Sequence, residues 1–178
     1  TPNDPDFSKQ YGLQSMKLEQ AWDFTRGSKD VLIAIIDSGT EITHSDLAAN
    51  IWTNPGEIPD NGIDDDGNGK VDDFVGWDFV DNDNDPSPRP DENGFPEHGT
   101  LLAGTIAGRI NNVEGIAGVA GQSRILPLRV TTGISGGIEA SRVRDAITYA
   151  VRTAATDPSV RHLVINLSLD TDDLTADN

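Results

Sequence analysis

Two residues are best suited to proton transfer. Asp37 closes the β-branched run Ile35-Ile36-Asp37-Ser38-Gly39, and His98 opens His98-Gly99-Thr100-Leu101-Leu102-Ala103-Gly104-Thr105. A carboxylate at the end of a buried strand is partly desolvated and stays ionised only when hydrogen bonds or a cation hold it. His98 stands at a helix start, where the helix dipole disfavours imidazolium and keeps the ring neutral until a carboxylate supports it. A neutral imidazole oriented by an aspartate is what a general base for a hydroxyl nucleophile requires. Each motif alone has a plainer reading, since Asp-Ser-Gly also caps turns. The order Asp then His, each at its own element boundary, gives the pair its weight. His44 in a polar loop and His162 beside a strand read as structural or solvated.

Oxygen ligands offer a second chemistry. Asp64, Asp66, Asn68 and Asp72 occupy positions one, three, five and nine of a loop with Gly69 at six and the Lys70 carbonyl at seven. Alternating side chains at that spacing converge on calcium, and the glycine permits the sharp turn. Position twelve is Val75 rather than glutamate, so either Asp73 or a distant carboxylate must complete the shell. The plainer reading is a solvated acidic loop. Clustered carboxylates repel unless a cation joins them, so calcium would organise this segment.

These residues need elements to position them. Val31 to Ile36 is a continuous apolar run, as expected of a strand buried on both faces. Ile125 to Val130 and Leu163 to Leu167 are further strand candidates. Glu139 to Ala155 sets Val143, Ile147, Ala150, Val151 and Ala154 along one helical face, and Asp157-Pro158 stops it. A second helix is predicted from near His98 through Leu102, Ala103, Ile106 and Ala107, its small residues allowing close packing. Strands alternating with helices imply an α/β fold with a parallel sheet, whose carboxyl edge faces the ligand crevice.

Composition narrows the function. The 178 residues carry 30 acids against 13 bases, a formal net charge of −17. That balance excludes nucleic acid and anionic membranes as partners. There is no run long and apolar enough for a spanning helix, and with no cysteine any metal must be held mainly by oxygen. Residues 55–92 hold 13 of the acids against Lys70 and Arg89, punctuated by Gly, Pro and Asn, and read as an acidic insertion in loop conformation. Gly115 to Gly121 is rich in glycine, but no lysine follows in a phosphate-loop pattern, so a nucleotide site is not supported.

Taken together, Ile35 to Gly39, His44-Ser45-Asp46-Leu47 and His98 to Thr105 resemble the first two catalytic blocks of the subtilisin-like serine proteases. Gly115-Ile116-Ala117-Gly118-Val119-Ala120, Leu128-Arg129-Val130 and Val164-Ile165-Asn166-Leu167-Ser168-Leu169 fit as well. The opening Thr1-Pro2-Asn3-Asp4-Pro5 and the run Trp77 to Asp83 point to the thermitase-like branch. The resemblance implies a three-layer sandwich with a mostly parallel central sheet, incomplete in this chain, and makes residues 1–178 the N-terminal portion of a single catalytic domain. It implies that Asp37 orients His98 and that His98 deprotonates a serine attacking a peptide carbonyl, in the chain order Asp, His, Ser. No serine here has the family's Gly-Thr-Ser-Met-Ala-like context, and the oxyanion-hole asparagine is expected further on. The chain by itself is therefore expected to be inactive, with a C-terminal segment or second chain supplying the serine.

The resemblance also places a polypeptide substrate between Ser135-Gly136 on one side and Ser168-Leu169-Asp170 on the other, with Asp170 standing where glycine is usual. It implies a strong calcium site at Asp4, Asp46 and Asn112 and a weaker one at Asp78, Asp81 and Asp83, with Asp85 a further candidate. Calcium is the expected cofactor. Because millimolar calcium occurs outside cells, a secreted protein is expected, without excluding an intracellular one. The competing expectation is a non-catalytic, calcium-dependent peptide-binding or regulatory module on the same scaffold.

Overall fold

The computed structural model describes residues 1–89, 97–132, 137–169 and 174–175. A short 3-10 turn at Phe7–Lys9 leads into two short helices, α1 (Tyr11–Ser15) and α2 (Leu18–Ala21). Strand β1 (Val31–Asp37) follows, then the two-residue β2 (Trp77–Asp78), helix α3 (His98–Ala107) and strand β3 (Arg124–Arg129). The chain continues through β4 (Ile138–Glu139), α4 (Ala140–Thr156), β5 (His162–Leu167) and β6 (Leu174–Thr175). The main sheet is parallel throughout, in the order β2-β3-β1-β5, and β4 pairs in parallel with β6 in a second, small sheet.

The continuous apolar run of β1 has a simple cause, since both of its faces are covered. Leu32, Ala34 and Ile36 face one core with Leu126, Leu128, Trp52 and the α4 residues Ala146, Tyr149 and Ala150. Ile33 and Ile35 face the other core with Ile125, Leu47 and the α3 residues Ala103 and Ala107. Helix, sheet and helix thus form three layers with β1 at the centre, as expected of the α/β fold. A third cluster of Phe7, Leu13, Leu18, Trp22 and Ala117 ties the N-terminal segment down, and Gln10 clamps Ala117 through both its backbone groups.

Among the described residues, strand β5 lies at the edge of this sheet. Leu163 and Ile165 pack into the α4-side core, while Val164 and Leu167 remain about half exposed. Helix α4 ends at Thr156, where Asp157 leaves helical geometry and Pro158 follows. Residues 55–89 are turns apart from β2, which exists only through its pairing with β3. No helix among the described residues is long and apolar enough to cross a membrane.

Candidate active site

The central strand delivers Asp37 to the carboxyl edge of the sheet, 2% exposed. Its backbone carbonyl accepts from Val130 N and its Oδ1 from Ser38 N at 2.7 Å. His98 Nδ1 lies 2.9 Å from Asp37 Oδ1 and 3.0 Å from Oδ2, while half of the His98 side chain is open to solvent. An ionised carboxylate only accepts, so Nδ1 carries the ring proton and Nε2 is left as the basic nitrogen.

Backbone contacts hold this approach. A Cβ on Gly99 would overlap the Gly39 carbonyl oxygen, so only glycine lets α3 start this close to the turn after β1. Gly99 N donates to Ser38 Oγ at 3.2 Å, and Glu41 N donates to Thr100 Oγ1 at 3.0 Å. Gly39 itself has φ +103° and sits against the backbone of Pro86 and Pro88, where Thr40 N donates to Pro86 O. A buried carboxylate joined to a half-exposed imidazole can hold that ring in one tautomer and stabilise it when protonated.

The other histidines are not part of this arrangement. His44 Nδ1 accepts from Asp46 N, and His162 is exposed at the start of β5. The register that pairs Ile36 with Leu167 brings Ser168 level with Asp37. Ser168 is exposed and bonded to Asn166, whereas Leu169 packs against the α4-side core. Ser135, Gly136 and Asp170 lie outside the described residues.

In the acidic loop Asp64 and Asp66 meet at Asn68, whose backbone N donates to Oδ1 of both. Asp64 turns to cap its own loop, accepting from Asn68 N and Gly69 N, and Asp72 accepts from Asn61 N and Gly62 N. Lys70 sets its ammonium over Trp77, 4.5 Å from the ring centroid, and over Phe79 at 5.0 Å. The carboxylates that converge are Glu57, Asp66 and Asp73, with one oxygen of each within 4.8 Å of the others. Asn54 and Asn68 each donate to both Asp66 and Asp73, and Tyr149 OH donates to Asp73 Oδ2 at 2.6 Å. Burial is the main cause that raises the Asp73 and Glu57 carboxyls above their ordinary range. Glu57 Oε1 accepts from Asp65 N and Asp66 N, but Oε2 is buried with no partner among the described residues. Such an oxygen is short of a cation, and the donor set fits one.

Asp4, Asp46 and Asn112 do come together. Asp46 Oδ1 accepts from Asn112 Nδ2 at 2.7 Å, and Asp4 accepts from the Asn111 and Asn112 backbone. Asn112 Oδ1 is buried without a partner among the described residues, which again suits a cation. Asp78, Asp81 and Asp83 also converge, but around two guanidinium groups. Arg129, 3% exposed, pairs with Asp78 and Asp81, and Arg89 bonds Asp81 and Asp83 at 2.8 Å each. That cluster is already supplied with positive charge, so its residues as placed do not fit a metal.

Comparison with known proteins agrees with the fold. The profile described as "Subtilase family" matches residues 28–177. The chain is 41% identical over 170 residues to thermitase of Thermoactinomyces vulgaris, covering 95% of this chain and 48% of that protein. It is 40% identical over 173 residues to the thermophilic serine proteinase of Bacillus sp. strain AK1, covering 97% of this chain and 34% of the relative. Among solved structures, a protease from Pseudoalteromonas arctica superposes with a TM-score of 0.65 at 31% identity, over 95% of this chain and 50% of that one. The chain thus spans half or less of each of these proteins' own length. From the strand that ends in Asp37 to the last strand described, both sequence and fold follow one pattern: the chain belongs to the subtilase family.

Proposed function

We propose that Asp37 and His98 form the acid–base half of a serine endopeptidase that hydrolyses peptide bonds, the nucleophilic serine and oxyanion-hole asparagine coming from outside these 178 residues. The observation that carries this reading is the bond of His98 Nδ1 to both oxygens of buried Asp37. With Nδ1–H donated to Asp37, Nε2 accepts the serine hydroxyl proton as the oxygen attacks the peptide carbonyl carbon. The protonated ring then gives that proton to the leaving amide nitrogen as the C–N bond breaks, leaving an acyl-enzyme. Water attacks the ester carbon with Nε2 again taking its proton, and the ring returns that proton to the serine oxygen as the C–O bond breaks and the acid product departs. Asp37 stays ionised throughout, holding the ring and stabilising the imidazolium. Ser168, level with Asp37, would supply one wall of the channel along which a substrate strand pairs, with Leu169 following it.

Calcium has a structural part in this reading. Glu57, Asp66 and Asp73 would hold one ion, and Asp4, Asp46 and Asn112 another; the ion would neutralise carboxylates that otherwise repel. Both sets use oxygen ligands alone, which suits a secreted protein bathed in millimolar calcium.

The test is casein hydrolysis by protein that includes the serine-bearing segment, with His98→Ala as the comparison. The variant should lose about 10⁶-fold in kcat. Hydrolysis that persists undiminished would remove His98 from the chemistry.

A further inference from the structure

Four carboxylates in the loop 78–85 point one oxygen each at a single group. Arg89 Nε is 2.8 Å from Asp81 Oδ2, Nη2 is 2.8 Å from Asp83 Oδ2, Nη1 is 3.5 Å from Asp85 Oδ2, and Nε is 3.7 Å from Asp78 Oδ2. From the buried side Arg129 Nη1 bonds Asp78 Oδ2 and Asp81 Oδ2. The remaining Asp78 oxygen accepts from Val80 N and Asp81 N. The loop closes on itself through Asp78 and Asp83, whose backbones exchange hydrogen bonds.

We propose that the Arg89 guanidinium is a tethered cation that fills the Asp78–Asp81–Asp83–Asp85 cluster in place of a divalent metal, so that this loop is held without calcium. The two occupants exclude each other. Calcium needs six to eight oxygens at about 2.3–2.6 Å, and the Asp81 and Asp83 oxygens it would draw are those bonded to Arg89. The planar fork of arginine suits several carboxylates around one centre, and its five donors have fixed directions. Charge points the same way: four carboxylates against two guanidiniums leave two negative charges, and loss of Arg89 would leave three. The cluster would then be open and more anionic, which is a cation site.

The tether also fixes more than the loop. Pro86 and Pro88, between Asp85 and Arg89, are the residues that pack on Gly39, two positions past Asp37. Arg89 therefore anchors the segment that supports the turn after β1. This inference stands on the ion pairs alone and does not depend on the protease reading or on calcium at the other two clusters.

The experiment counts bound calcium by equilibrium dialysis on the full-length protein after chelator treatment. Arg89→Ala should bind one calcium more than the wild type, and its Tm, lowered in chelator, should recover when calcium is added. Asp83→Asn with Arg89 in place should leave the count unchanged, and Arg89→Ala combined with Asp83→Asn should lose the added ion. If Asp83→Asn lowers the wild-type count by one, a metal already sits there and the proposal is overturned. It is equally overturned if Arg89→Ala gains no ion and no calcium-dependent rise in Tm. Should Arg89→Ala fail to fold, the count for Asp83→Asn decides alone.

Discussion

At Gly99 the absence of one methyl group lets a helix start against the turn that follows the central strand. Asp37 and His98 are each ordinary for their positions, a strand-end carboxylate and a helix-start imidazole. What makes them a pair is that α3 and β1 approach to backbone contact. Gly99→Ala should push the start of α3 away from Gly39, costing about 1–3 kcal/mol of stability and most of the peptidase activity. Thermal unfolding and kcat measured together check this, since a change in stability without a change in kcat would mean that the pair tolerates the shift. Both members of the pair were legible in the sequence because each sits at a local boundary that apolar periodicity reveals. Glu57 was not legible: it lies seven residues ahead of Asp64, outside any loop spacing, and only the folding of the loop turns it inward. The vacancy at position twelve showed that a carboxylate was missing without showing which one. Arg89 and Arg129 were missed as partners of Asp81 for the same reason, because charge pairing across 8 and 48 residues leaves no periodic trace.

Among the elements, β1, β3, β5 and the two longer helices follow closely from apolar runs and breakers. Helix α4 was expected at Glu139 to Ala155 and runs Ala140–Thr156, ended by the Asp157-Pro158 stop. The two-residue β2 carried no such signal, since pairing with β3 makes it a strand. Asp157 shows how one end of an element is fixed. Its carboxylate accepts from Trp52 Nε1 at 2.9 Å and from Ser159, and lies 3.5 Å from Arg124 Nη1. Burial opposes its charge, but the Ser159 and Trp52 bonds and the Arg124 charge outweigh that and hold the carboxyl below its ordinary value. A depressed folded-state value means that this contribution is fully present above the ordinary Asp value, near 3.8, and is lost as pH falls through the folded value. Asp157→Asn should cost about 1–3 kcal/mol near neutral pH, because Arg124, only 17% exposed, loses its charge partner. The variant should also lose this part of the acid-side slope. Urea unfolding at pH 7 and pH 3 tests both points, and a deficit that stays the same at the two pH values would show that the charge is not responsible.

For the molecule as a whole, three layers form around β1, and the carboxylate clusters stand in the loops between elements, with Asp73 and Asp78 fully buried. A net charge of −17 works against compactness, and cations bound at the folded clusters would oppose it. Calcium at 100 times its dissociation constant should add about 2.7 kcal/mol per site, or roughly 5–10 °C in Tm for a domain of this size. Chelation should remove that gain, and Glu57→Gln should remove one site's share of it. A Tm indifferent to chelator would mean that the Glu57 and Asn112 orphan oxygens are met in some other way. Among the described residues β5 is an edge strand with Val164 and Leu167 about half exposed, and such an unpaired apolar edge favours association.

The account depends most on the state of one ring. Selective ¹⁵N labelling of histidine in the full-length protein, with His98→Ala to assign the signal, reports which nitrogen of neutral His98 bears the proton. The arrangement with Asp37 predicts a protonated, slowly exchanging Nδ1 and a bare Nε2 ready to accept a hydroxyl proton. A ring protonated on Nε2, or one averaging freely between the two forms, would contradict it.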